Sequence, residues 1–126
     1  MLLKINFESE VPIYAQLKNQ IIQGIAKGEL DEGVSLPSVR QMAEDIGINM
    51  HTVNKAYNLL KGDGFITIDR RKGAIVNKIP IPSSEEYGNM LKEELESIIS
   101  EAYSRGVSEE DFVKGCKEIY CVYKRK

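Results

Sequence analysis

Between residues 36 and 62 the apolar positions repeat with helical spacing in two consecutive stretches. The first stretch places apolar residues at i, i+3, i+4 and i+7: Val39, Met42, Ala43 and Ile46. Gly47 is a natural helix end, and Asn49 can cap a second helix. That helix repeats a similar spacing at Val53, Ala56, Tyr57 and Leu60. Two short amphipathic helices joined by a glycine-containing turn predict a helix-turn-helix.

The flanking segments supply the rest of one compact unit. A helix is predicted from Pro12 to about Gly28, with a stripe at Tyr14, Leu17, Ile21 and Ile25. Residues 2–7 are compatible with a short strand or an extended arm, and residues 29–37 are predicted to be a loop. After the second helix, residues 65–68 and 74–76 are β-rich and flank the charged turn 69–73. This order predicts a winged helix, in which a β-hairpin presents a basic tip.

The segment 78–84 contains two prolines and two serines and marks a linker. Beyond it, one helix is expected from Glu85 to Arg105, with a stripe at Leu91, Leu95, Ile98 and Ala102. Ser108 can cap a last helix that carries Phe112, Cys116, Ile119 and Tyr123 on one face. Lys124, Arg125 and Lys126 would lie at its C-terminal end, where cations suit the helix dipole.

The predicted organisation is therefore a mainly α protein with a small β-hairpin (α+β). It comprises a winged helix-turn-helix in residues 1–77, a linker in 78–84 and a helical unit in 85–126. Two helices have little core of their own, and their apolar stripes are broader than one neighbour would cover. We therefore expect residues 85–126 to form a homodimer through the two stripes.

Composition and charge narrow the class of protein. With 126 residues, 42% of them hydrophobic, the chain is long enough for one domain with a small appendage. Its net charge is −2, and residues 1–77 carry nine basic and nine acidic side chains, so any DNA-binding face must be local. The sequence has no long apolar run and no cleavable signal, which favours the cytoplasm. Cys116 and Cys121 point to different helix faces and are expected to be buried thiols.

The outward face of the second helix is polar. Met50, His51, Asn54, Lys55 and Asn58 project away from its apolar stripe. This face would meet base edges if the helix entered a major groove. The basic tip of the hairpin consists of Arg70, Arg71 and Lys72, which would reach phosphates or the minor groove.

Residues 11–77 resemble the DNA-binding domain of the GntR family of bacterial transcription regulators. An ordered set of positions carries the resemblance: Pro12, Gln16, Ile21, Ile25, Gly28, Gly33, Leu36, Pro37, Ser38, Arg40, Ala43, Gly47, Thr52, Val53, Ala56, Tyr57, Leu60, Gly64 and Val76. The short C-terminal remainder resembles the YtrA-like subfamily, whose members have only a small helical dimerisation unit. This resemblance implies a homodimeric repressor that binds a pseudo-palindromic operator, in a subfamily that often controls ABC-transporter operons.

The resemblance also implies DNA-contacting positions. Arg40 matches an arginine that contacts DNA, and Thr52 matches a hydroxyl that reaches a phosphate. At the positions of Met50, His51 and Asn54, relatives often carry arginine or serine. This chain therefore lacks the arginines that would recognise guanine bases there. The full predicted DNA-binding set is Ser38, Arg40, Met50, His51, Thr52, Asn54, Lys55, Arg70, Arg71 and Lys72. The predicted dimerisation set is Leu91, Leu95, Ile98, Ala102, Phe112, Cys116, Ile119 and Tyr123.

Alternatives stay open at several positions. Arg40 would otherwise pair with Glu44 at i+4, and His51 would otherwise be a solvated residue without a role. A protein-interaction adaptor without intrinsic DNA binding is the second hypothesis for function. No catalytic constellation, cofactor motif or metal-ligand set is present in the sequence. The short tail leaves little room for a dedicated effector pocket, and a small-molecule effector could bind at the dimer seam or between tail and winged helix.

Overall fold

A computed structural model describes residues 3–123 of the chain. The chain divides into two compact units, one ending at residue 81 and the other starting at residue 82. The helices are α1 (Ile13–Ala26), α2 (Val39–Ile46), α3 (Met50–Gly62), α4 (Glu85–Ser104) and α5 (Glu109–Val122). The strands are β1 (Ser35–Leu36), β2 (Ile66–Asp69) and β3 (Gly73–Val76). The predicted positions of Lys124, Arg125 and Lys126 lie outside the described residues.

Side chains cap both helices of the helix-turn-helix at their N-termini. The Ser38 hydroxyl accepts a hydrogen bond from the Gln41 amide at 3.1 Å, and α2 ends at Gly47 with a φ of 79°. The Asn49 side-chain oxygen Oδ1 then accepts a hydrogen bond from the His51 amide at 2.7 Å and caps the start of α3. A left-handed residue at the end of a helix favours glycine because glycine has no Cβ to clash. The turn between α2 and α3 is therefore determined locally, as predicted.

A small antiparallel sheet in the order β1-β3-β2 completes the first unit. Strands β2 and β3 form the predicted hairpin, with Ile66 opposite Val76 and Asp69 opposite Gly73. The prediction that residues 29–37 form only a loop is wrong, because Ser35 and Leu36 pair with β3. Two residues are too short to show strand alternation, and their pairing partner lies far along the chain. The winged helix therefore has one strand more than the sequence pattern indicates.

The core of the first unit is where the predicted stripes meet. Helices α1 and α2 both pack against α3. The largest fully buried side chains come from α1, α3, β2 and β3: Leu17, Ile21, Val53, Tyr57, Leu60, Ile66 and Val76. Because α3 is covered on its apolar side, its orientation relative to the rest of the unit is set by close packing.

Both helices of the second unit are capped by serine side chains, and neither helix buries a residue in the single chain. Ser84 and Ser108 accept hydrogen bonds from the amides of Tyr87 and Asp111, at 3.0 and 3.1 Å. Neither α4 nor α5 contains a side chain that is buried in the single chain. The prediction that both cysteines are buried is wrong, since Cys116 is half-buried and Cys121 is exposed. In a single copy of the chain, the apolar faces of α4 and α5 are therefore not buried.

Candidate nucleic-acid interface

Helix α3 separates a buried face from a polar exposed face. Its apolar residues Val53, Ala56, Tyr57 and Leu60 are at most 1% exposed. The side chains predicted to project outward are all exposed: Met50, His51, Asn54, Lys55 and Asn58. Thr52 is half-buried at the border between the two faces. The exposed face offers amide, imidazole and ammonium groups, which are the groups that hydrogen-bond to base edges and phosphates.

One of these side chains has a contact that the sequence did not indicate. The Lys55 ammonium lies 4.0 Å from the centroid of the Tyr14 ring, on α1. A cation over an aromatic face is attracted by the ring quadrupole, which restricts the lysine to one direction. The helical pattern places Lys55 outward but contains no information on its partner, because α1 and α3 are distant in sequence. Tyr14 therefore orients a charged group of the exposed face.

A partly buried hydrogen bond attaches the segment just before α2 to α3. The Tyr57 hydroxyl donates to the Pro37 carbonyl at 2.7 Å. Burial raises the pKa of the Tyr57 phenol well above its ordinary value, so the hydroxyl stays protonated and remains a donor. This bond fixes the residue that precedes the Ser38 cap. The hydrogen bond thus links α3 to the segment from which α2, with its exposed Arg40, begins.

Arg40 has no ion-pair partner within 4.0 Å among residues 3–123, so the alternative pairing with Glu44 is absent there. The ion pairs in that range are Lys18 with Asp63 at 3.5 Å and Arg105 with Glu101 at 3.0 Å. The Arg40 guanidinium is exposed. An unpaired, always charged fork of donors at this place suits a phosphate oxygen.

The wing tip is a three-residue turn between the paired residues Asp69 and Gly73. The Asp69 carboxylate accepts hydrogen bonds from the amides of Arg71, at 2.6 Å, and Lys72, at 3.1 Å. These two bonds lower the pKa of Asp69, and the nearby Lys72 charge lowers it further. Gly73 has a φ of 78°, and this left-handed residue ends the turn. The three basic side chains of Arg70, Arg71 and Lys72 remain exposed.

Ser38, Arg40, the exposed face of α3 and the wing tip all belong to the first unit. Residues 3–123 contain no group of three His, Cys, Asp or Glu side chains arranged to hold a metal ion. Within that range no helix is both long and apolar enough to cross a membrane.

Comparisons with known proteins agree with this geometry. The model of the bacterial regulatory proteins of the gntR family matches residues 13–76. The HTH-type transcriptional repressor YtrA of Bacillus subtilis is 34% identical over 119 residues, which cover 94% of this chain and 92% of that protein.

Two similar solved structures differ in how much of this chain they cover. The structure of a transcriptional antiterminator from Listeria monocytogenes has a TM-score of 0.90 at 30% identity, covering 100% of this chain and 96% of that one. The DNA-binding domain of AraR in complex with operator ORX1 has a TM-score of 0.54 at 25% identity, covering 60% of this chain and 98% of that one. The chain therefore belongs to the GntR family of bacterial regulatory proteins and is a DNA-binding transcription regulator.

Proposed function

We propose that this protein is a homodimeric repressor that acts in the cytoplasm and binds a pseudo-palindromic operator. The observation that carries the proposal is the polar exposed face of α3, held on a fully buried apolar face and accompanied by a basic wing tip. A surface for docking another protein would instead be expected to expose apolar side chains at this place. On α3 the exposed large apolar side chains are limited to Met50 and Leu59, at 45% and 38%.

The proposed contacts divide into positioning and reading. Arg40, Thr52 and Lys55 would bind phosphates and fix the register of the helix on the duplex. Asn54 has the donor and acceptor pair that matches adenine, and Met50 suits a thymine methyl group. The remaining members of the proposed interface are Ser38, His51, Arg70, Arg71 and Lys72. In this proposal α3 enters the major groove and the wing lies along the backbone or minor groove.

Exposed apolar side chains of the second unit support the dimer. Leu91, Leu95, Ile98 and Ile119 are 42%, 39%, 55% and 57% exposed in the single chain. The proposed interface also includes Ala102, Phe112, Cys116 and Tyr123, which are half-buried. Covering these faces with a second copy would remove apolar area from water and place two recognition helices on one duplex. Each half-site would then be read by one copy, about one helical turn apart.

The name of the Bacillus subtilis relative, a transcriptional repressor, supports repression as the direction of control. From the resemblance to the YtrA-like subfamily we also infer that the regulated genes include an ABC-transporter operon. Once the operator sequence is known, searching the genome for it upstream of ABC-transporter genes tests this inference.

Selection of bound duplexes from a random DNA library, at near-physiological salt and without added ligand, tests the proposal. We expect enrichment of a two-fold symmetric site whose half-site spacing is about one turn of DNA. A variant with Arg70, Arg71 and Lys72 replaced by alanine measures how much of the DNA affinity comes from the basic wing tip. It should bind DNA more weakly, and its affinity should depend less on salt concentration. Failure to enrich any sequence would contradict the proposal and favour the protein-interaction adaptor.

A further inference from the structure

The N-terminal arm, residues 3–11, is attached to α1 by side-chain amides. Gln16 accepts a hydrogen bond from the Asn6 amide at 2.8 Å and donates to the carbonyls of Asn6 and Val11, at 2.9 and 2.8 Å. Gln20 similarly binds both the amide and the carbonyl of Lys4. These two glutamines satisfy backbone groups as a neighbouring strand would. The arm is thus held in place without belonging to the sheet.

Beneath this arm lies a groove with a volume of about 500 Å³. The arm supplies Leu3, Ile5 and Phe7 to one wall, and the segment before α2 supplies Leu30, Ser35, Leu36 and Pro37. The third wall is α2 itself, through Met42, Asp45 and Ile46. A volume of this size falls in the range of small-molecule sites, roughly 300–1,000 Å³. The winged-helix unit therefore contains room for a ligand, in addition to the two places expected from the sequence.

The polar groups of the groove indicate which ligand fits. Asp45 bears the one charged side chain among the described lining residues. Its carboxylate accepts a hydrogen bond from the Gln41 side-chain amide at 2.7 Å, and no cation lies within 4.0 Å of it in the described part of the chain. Most of the other lining residues are aliphatic or aromatic. An apolar body with one positively charged nitrogen complements both features.

We propose that this groove is an effector site for a small hydrophobic amine. The amine nitrogen would donate to the Asp45 carboxylate while the apolar body lies between the arm and α2. The regulatory part rests on the proposed function, because α2 carries the Ser38 cap and Arg40 at its other end. A ligand that contacts the arm and α2 together changes DNA affinity when it binds the free and DNA-bound arrangements unequally.

A titration of 15N-labelled full-length protein with 2-phenylethylamine tests the site, with 2-phenylethanol as the neutral probe of the same shape. We expect shifts in the amides of residues 3–7, 35–37 and 42–46, and about fivefold tighter binding of the amine than of the alcohol. Asp45→Asn should reduce amine affinity to that of the alcohol, because the charge is lost and the shape is kept. Glu44→Gln, which neutralises the neighbouring carboxylate outside the groove, should leave amine affinity unchanged.

A second measurement tests regulation: the affinity for the selected operator as a function of amine concentration. We expect the amine to change operator affinity in the wild type, and we expect Asp45→Asn to need about fivefold more amine for the same change. Equal binding of amine and alcohol, or an unchanged amine affinity in Asp45→Asn, would overturn the site. Amine binding with constant operator affinity would overturn the effector role. If the amine-free protein binds no DNA, the proposed function fails, whereas the titration still decides the site.

Discussion

Tyr57 is the residue at which the core and the proposed interface meet. Its ring is 1% exposed in the core, while its hydroxyl donates to the Pro37 carbonyl just before α2. The apolar periodicity of α3 identifies the ring as core, but it does not reveal the acceptor of the hydroxyl. A buried hydroxyl that finds an acceptor contributes to stability and to the uniqueness of one arrangement.

Replacing Tyr57 with phenylalanine should lower the free energy of unfolding of the first unit by about 1 kcal/mol, because one hydrogen bond is lost and the ring packing is kept. Native-state hydrogen exchange measures this locally. The slowest amides of α1 and α3 should exchange about fivefold faster. Tyr103→Phe is the matched control, since Tyr103 is 80% exposed in the second unit, and it should leave these rates unchanged. Identical rates in Tyr57→Phe and wild type would show that the bond contributes no net stability.

Asp69 gives the wing a dependence on pH. Its carboxylate holds the turn through the amides of Arg71 and Lys72, and its folded pKa lies below the ordinary 3.8. For a lowered carboxyl pKa, the stabilisation is complete above the unfolded pKa and is lost as the pH falls through the folded one. We therefore expect the wing turn to be intact at pH 5 and above and to loosen only below about pH 4.

NMR titration of the Asp69 carboxyl carbon, followed together with the amides of Arg71 and Lys72, measures this pKa directly. All three signals should titrate together, below the ordinary value, because the two amides bind the ionised form. In Asp69→Asn the two amide signals should lose this transition. A midpoint at or above the ordinary aspartate value would contradict the role given to the turn.

At the scale of elements, the sequence predicts what local chemistry determines. The helices of the first unit follow from their stripes, and Ser38, Gly47 and Asn49 give their ends because capping depends on nearby residues only. The exposed face of α3 follows from the same periodicity. Strand β1 could not be predicted, because its two residues are defined by a partner, β3, that is distant in sequence.

The contacts between elements were equally beyond the sequence pattern. The Lys55–Tyr14 contact joins α1 to α3, and the groove requires the arm, the segment before α2 and α2 to converge. Each of these depends on how elements pack, which periodicity within one helix does not encode. The burial of the cysteines was wrongly predicted for a related reason: an apolar stripe predicts that a face will be covered, and not whether the same chain covers it.

Helix α2 is proposed to position Arg40 against a phosphate. Arg40→Ala should weaken operator binding at least about tenfold and reduce the slope of log affinity against log salt by about one, with no change in melting temperature. Fluorescence anisotropy with labelled operator at several salt concentrations measures both quantities. Arg105→Ala removes an exposed arginine of the second unit that pairs with Glu101, and it should leave affinity and slope close to wild type. Wild-type affinity in Arg40→Ala would remove this arginine from the interface.

At the scale of the whole molecule, the two units differ in how their apolar residues are covered. The first unit buries a core that includes Leu17, Ile21 and Leu60 within one chain, whereas the helices of the second unit bury none of their residues. Large exposed apolar faces on a pair of helices are typical of surfaces that are covered by another chain. The first unit thus has its own hydrophobic core, while the second is expected to be completed by its copy.

Charges placed on the α4 stripe should separate the proposed dimer. Leu95→Glu with Ile98→Glu would bury unpaired carboxylates against the partner, a cost that apolar contacts cannot offset. We expect a monomer by sedimentation, and a large loss of operator affinity because one recognition helix alone reads half of the site. Ser97→Glu with Ser100→Glu adds the same charge to the opposite face of α4, which is polar, and should leave a dimer. A stable dimer in Leu95→Glu/Ile98→Glu would place the interface elsewhere. Loss of the dimer in both variants would show that added negative charge, rather than the apolar stripe, is responsible.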